Sequence, residues 1–117
     1  MEEKWEILLY RTEQGGSPVQ EFINSLEIKA KAKVESTINL LREFGTRLGL
    51  PHFKKIVGSE LWEMRLLGSD NIRVLYISVA GRAFLLLHGF KKKKDKTPGK
   101  EIKVAEARLV DHRFRSR

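Results

Sequence analysis

The sequence predicts an α+β domain: a first strand, two helices, an antiparallel meander and a last helix. Three observations carry this reading. Apolar residues recur at helical spacing between residues 18 and 44. Three apolar runs between 61 and 90 are divided by turn residues. A Thr97-Pro98 pair then precedes a renewed helical period. With 117 residues, 41% of them hydrophobic and 32% charged, there is room for one domain spanning 1–117 and one core.

Trp5 to Tyr10 reads as the first strand, stopped by Gln14-Gly15-Gly16. A helix then starts at Ser17, a capping residue, with Pro18 in its first turn and Gln20 at the capping-box position. Val19, Phe22, Ile23 and Leu26 form its apolar stripe. From Ile28 to Phe44 the residues Ala30, Val34, Ile38 and Leu41 give a second amphipathic helix, ended by Gly45, and the two helices form a hairpin. Gly45 to His52 is a loop. His52–Val57 is a short strand candidate, followed by strands at Leu61–Leu67, Ile72–Val79 and Ala83–Phe90 that make a sheet of four or five mainly antiparallel strands. In the last helix Thr97 is expected to cap, Pro98 to hold the first position, and Ile102, Ala105 and Leu109 to be buried.

Composition narrows the function. The absence of cysteine removes disulfides, thiol nucleophiles and Cys-ligated zinc, and fits a cytoplasmic protein. The opening Met1-Glu2-Glu3-Lys4 is too acidic for a signal peptide, and Ile7-Leu8-Leu9-Tyr10 is too short for a membrane span, so no membrane partner is expected. The net charge is +8, yet residues 1–27 hold six acids and two bases, so the remaining ninety carry +12. Such a field points to a polyanion, nucleic acid before membrane; the plain alternative is a soluble surface.

The strand alternation of Trp62-Glu63-Met64-Arg65-Leu66 turns the apolar trio toward the helices and Glu63 and Arg65 outward. An odd number of unpaired turn residues sets Arg65 opposite Arg73 on one exposed face, whereas an even number separates them. Two facing arginines need an anion, water or a carboxylate such as Glu63. A phosphate held by two guanidinium forks is the functional version, and a solvated cluster the plain one. As an exposed sheet residue, Arg73 is expected to matter for phosphate stabilisation and little for stability. The run Lys91-Lys92-Lys93-Lys94-Asp95-Lys96 is either a solvated segment or the continuation of a phosphate path from Arg65 and Arg73, with Lys54 and Lys55 extending it. His52, His88 and His112 have no metal spacing, and His88 reads as a hydrogen-bonded structural residue more readily than as a base. No cofactor or metal is expected.

These residues resemble the HigB-like branch of the RelE/ParE toxin superfamily, whose members are often phage-derived. The resemblance rests on Pro18-Val19 with Phe22; Gly45-Thr46-Arg47 with Gly49 and Pro51; Leu61-Trp62-Glu63-Met64-Arg65; Arg73-Val74-Leu75-Tyr76; and His88-Gly89-Phe90 with Lys92, Lys93, Lys96-Thr97-Pro98 and Glu101-Ile102. It implies a RelE-like fold and the toxin of a type II toxin-antitoxin pair, usually a ribosome-dependent mRNA endoribonuclease. The implied partners are the ribosome, mRNA and an antitoxin, commonly a helix-turn-helix protein, that covers or displaces part of residues 61–96. The resemblance places catalytic groups at Arg65, Arg73 and Lys92; charge placement along the phosphate path adds Lys54, Lys55, Lys91, Lys93, Lys94 and Lys96 as RNA-binding neighbours. No tyrosine follows Lys94 and only His112 stands near the C-terminus, so it assigns no general acid or base. The alternative within the superfamily is a ParE-type toxin that binds DNA gyrase on the same fold without nuclease chemistry.

Overall fold

β1 (Glu6–Leu9) leads through a glycine turn into α1 (Pro18–Asn24) and α2 (Ile28–Phe44). A 3-10 turn (Gly45–Arg47) follows, then β2 (Phe53–Lys55), β3 (Trp62–Arg65), β4 (Ile72–Val79), β5 (Ala83–Lys91) and α3 (Gly99–Arg115). The computed structural model describes residues 4–49, 51–66, 68, 71–93 and 97–116.

The five strands form one sheet in the order β1-β5-β4-β3-β2. β1 runs parallel to β5, and every other neighbour pair is antiparallel. The fold is α+β, as the sequence predicts. α2 forms because its apolar stripe, Ala30, Val34, Ile38 and Leu41, is buried as one face, joined by Thr37, whose hydroxyl donates to the Lys33 carbonyl at 2.8 Å. It ends at Gly45, where φ is +59° and a Cβ would lie 2.0 Å from Trp5 Nε1, so handedness and close approach both demand glycine. The expected capping box of α1 does not form: Ser17 makes no side-chain cap, and Gln20 donates instead to Asn24 Oδ1 at 3.0 Å.

The sheet has a core on each face. Val19, Ile23, Val34 and Leu41 pack against Met64, Leu66, Val74, Tyr76, Phe84 and Leu86 on one side, with Trp62 half-buried at the margin. On the other, Leu61, Leu75, Ile77, Leu85, Leu87 and Phe90 lie under Ala105 and Leu109 of α3. The charged face of β3 and β4, expected to look outward, is therefore partly roofed. A bulge between Leu75 and Tyr76 leaves Leu87 as an extra residue on β5. Leu87 and His88 consequently both serve the α3 side, where Arg108 donates to the Leu87 carbonyl at 2.8 Å and approaches His88 Nδ1 at 3.2 Å. His88 Nε2 meets Glu101 Oε1 at 2.8 Å, so this histidine pins α3 to the sheet.

Candidate phosphate-binding cleft

β3 and β4 pair with Trp62 opposite Tyr76 and Arg65 opposite Arg73. Residues 67–71, an odd number, separate Leu66 from Ile72, whose backbones bond at 3.1 Å, and this puts both arginines on the α3 face. Leu67, the expected end of its strand, and Ser69 and Asp70 lie outside the described residues.

Glu63 stands one pleat from Arg65 on the same face. Its Oε1 lies 3.3 Å from Arg73 Nε and 3.7 Å from Arg65 Nε, while Oε2 accepts a hydrogen bond from the Thr97 hydroxyl. One carboxylate thus separates two guanidiniums that would otherwise repel. The side chains of Glu63 and Arg73 are each only 7% exposed, whereas that of Arg65 is 29% exposed. This corrects the expectation that Arg73 is an exposed sheet residue: Thr97 and the start of α3 pack over the site, and Arg73 sits beneath Glu63. Burial pulls the Arg73 guanidinium below its ordinary proton affinity, with Glu63 opposing that shift. Its Nη1 donates to the Ile72 carbonyl at 2.9 Å. Neither Nε atom has a hydrogen-bond partner among the described residues, so the contacts with Glu63 are ion pairs without ideal donor geometry.

Above this layer opens a cleft of about 400 Å³ lined by Lys54, Lys55, Glu63, Arg65, Lys92 and Thr97, with Ile56, Val57 and Ile102 as its apolar wall. Its two sides are held together. Ser59 donates to Glu106 at 3.1 Å, and Arg113 grips Glu60 with bonds of 2.8 and 3.1 Å, tying the β2–β3 turn to α3. Lys92 is buried, and its amide continues the β4–β5 ladder by donating to the Asn71 carbonyl at 2.8 Å.

The structure therefore brings Lys54, Lys55, Arg65 and Lys92 to one cleft with Arg73 below it. Lys91, opposite Ile72, alternates to the α1–α2 side. Lys93 is exposed beyond the strand. Lys94 and Lys96 lie outside the described residues. Thr97 was expected to cap α3, but its hydroxyl goes to Glu63, and α3 begins at Gly99 behind Pro98. Ile102 and Thr97 drew no attention as site residues, because only the packing of α3 across the sheet brings them to the cleft. Four cations beside one carboxylate, itself already occupied by two arginines, form a pocket suited to an anion with several oxygens, such as a phosphodiester. Among the described residues no group of three or more His, Asp or Glu is placed to hold a metal, and no helix is long and apolar enough to cross a membrane.

The family model described as Phage derived protein Gp49-like (DUF891) matches residues 21–110, which include β2 to β5, the cleft and most of α3. A comparison with curated proteins finds no match.

Proposed function

As the chain belongs to the Gp49-like phage-derived family, a family of RelE/HigB-like toxins, we propose that it is the toxin of a type II toxin-antitoxin pair and cleaves mRNA on the ribosome in the cytoplasm. The observation that carries this reading is the convergence of Lys54, Lys55, Arg65 and Lys92 on one cleft above the Glu63–Arg73 pair.

RNA supplies its own nucleophile. The 2′-oxygen forms a bond to the adjacent phosphorus as its proton leaves, and the bond to the 5′-oxygen breaks as that oxygen gains a proton, leaving a 2′,3′-cyclic phosphate. Arg65 and Lys92 offer charge to the non-bridging oxygens, where negative charge grows in the transition state. Arg73 adds its field from beneath and holds Glu63, which in turn fixes Arg65. Lys54 and Lys55 receive the neighbouring phosphates, joined by Lys93, Lys94 and Lys96 as a diffuse electrostatic approach, while Lys91, on the other face, adds only to the overall positive field. The reaction so written needs no metal. The ribosome contributes alignment of the 2′-hydroxyl with the leaving oxygen, which an open cleft of this width does not impose alone.

Expression in a growing host, with translation and DNA supercoiling assayed in parallel, tests the reading. Arrest of translation with unchanged supercoiling is expected, and co-expression of the adjacent reading frame, the proposed antitoxin, is expected to restore growth and co-purify. Loss of supercoiling with intact translation would make the chain a gyrase-binding toxin, and failure of every neighbouring frame to rescue would remove the toxin assignment.

A further inference from the structure

The two edges of the sheet are unlike. β2 is three residues long and presents Lys54 and Lys55, features that discourage another strand from adding. β1 presents Ile7, Leu8 and Leu9, all half-buried, and contains neither lysine nor proline. In its parallel ladder the amide of Glu6 donates to the Arg82 carbonyl and that of Tyr10 to the Leu86 carbonyl, so the amides and carbonyls of Ile7 and Leu9 point away from the sheet. The outward edge is closed at one end, where the Trp5 amide donates to the Arg42 carbonyl at 2.8 Å, and at the other, where Arg115 donates to the Arg11 carbonyl. Between those closures the outward backbone groups of Ile7 and Leu9 have no partner among the described residues.

A groove flanks this stretch on each face of the sheet. One, of about 450 Å³, lies among β1, α1 and α2, with Ile23, Ile38, Glu35 and Arg42 in its lining. The other, of about 570 Å³, lies toward the end of α3 and is lined by Arg11, His112 and Arg115 but by no carboxylate, although Arg115 also grips Asp111. Ile7, Leu9 and Gln20 line both.

We propose that β1 is a docking edge for an extended segment of a partner protein, added as a sixth strand. Apolar side chains of that segment enter the groove at Ile23 and Ile38, and alternate carboxylates face Arg11 and Arg115. The alternation follows from the pleat, because successive residues of an added strand point to opposite faces. The backbone groups of Ile7 and Leu9 supply two donors and two acceptors. Charge selects the occupant: an acidic segment meets a groove lined by Arg11, His112 and Arg115 and by no carboxylate. This inference does not depend on RNA cleavage.

The test uses the full chain with two synthetic decapeptides, one alternating valine and glutamate, the other valine and lysine. The glutamate peptide is expected to slow hydrogen exchange at the amides of Ile7 and Leu9 and to bind at least about tenfold tighter than the lysine peptide. Leu9→Pro removes an outward donor but none that serves β5, and is expected to abolish binding. Arg11→Glu, at an exposed position, is expected to weaken the glutamate peptide at least about tenfold; if Leu9→Pro fails to fold in a melting control, this variant decides alone. Unchanged exchange at Ile7 and Leu9, equal binding of both peptides, or unchanged binding by Arg11→Glu overturns the proposal. So does a concentration-dependent dimer in sedimentation that Arg11→Glu or Leu9→Pro dissolves, which would make the occupant a second copy.

Discussion

Replacing Arg73 by alanine is expected to cost stability before it reports on chemistry. Glu63 Oε1 lies 3.3 Å from Arg73 Nε and 3.7 Å from Arg65 Nε. At an effective dielectric of about 20, these separations correspond to attractions of about 5 and about 4.5 kcal/mol, from which desolvation and the mutual repulsion of the arginines subtract. Deleting one partner of a buried pair typically costs about 3–5 kcal/mol, because the other charge stays behind. Arg65 and Thr97 remain on Glu63, so the lower end, about 3 kcal/mol, is expected for Arg73→Ala. In a domain of this size that lowers Tm by about 10–15 °C. Removing both charges with Glu63→Gln and Arg73→Met should recover most of the loss, giving a coupling of about 2 kcal/mol or more in a double-mutant cycle. Urea unfolding followed by circular dichroism measures the parent, Arg73→Ala, the two single variants of the cycle and the double variant. An Arg73→Ala protein within about 1 kcal/mol of the parent would refute the reasoning, since the Glu63–Arg73 contact would then carry no net energy.

Other consequences follow from the same geometry. Lys92→Ala should reduce ribosome-dependent cleavage far more than Lys91→Ala, Lys93→Ala or Lys94→Ala, and the milder effects should shrink as salt rises, read from cleavage rates across a salt series. Gly45→Ala meets both a positive φ and the Trp5 ring, so thermal melting should show a loss of about 2–3 kcal/mol. The Asp111 carboxyl is held below the usual carboxylate range by its hydrogen bond from Arg115 and then by that from Tyr10. A depressed carboxylate contributes stability that is present above its unfolded value, near about 3.9, and lost as pH falls through its lower folded value. Amide exchange in the last turn of α3 should therefore accelerate below about pH 4, and Asp111→Asn should show fast exchange there at neutral pH.

Elements with strong internal periodicity were legible from the sequence. α2 spans Ile28–Phe44 and β4 spans Ile72–Val79 at the predicted boundaries, because each announces its own buried face and its own stop. The facing of Arg65 and Arg73 was legible only as one of two outcomes, since the parity of a turn decides it. What packing across the sheet determines was not legible. β1 carries no local mark of a parallel place beside β5. The extra residue at Leu87, which turns His88 to the α3 side, has no signature in an unbroken apolar run. The burial of Glu63 and Arg73 is likewise a property of Thr97 and α3, with Thr97 lying 34 residues from the one and 24 from the other. Thr97-Pro98 read as a helix start because the local rule for capping is strong, but the helix begins at Gly99 with Pro98 at the cap, and the Thr97 hydroxyl donates to the buried Glu63 carboxylate.

The most direct test of the cleft as a ribonuclease site uses Arg65→Ala, because Arg65 lines the cleft and is only partly buried. Its loss leaves Glu63 paired with Arg73. Parent and variant, shown by melting to be folded, are added to ribosomes stalled on a defined mRNA in the presence of a chelator, and the 5′ ends of the cleaved RNA are mapped. The parent should cut within the ribosomal decoding region with chelator present, and the variant should be slower by on the order of a hundredfold to a thousandfold. A variant that cuts as fast as the parent, or a parent silenced by chelator, would contradict the account.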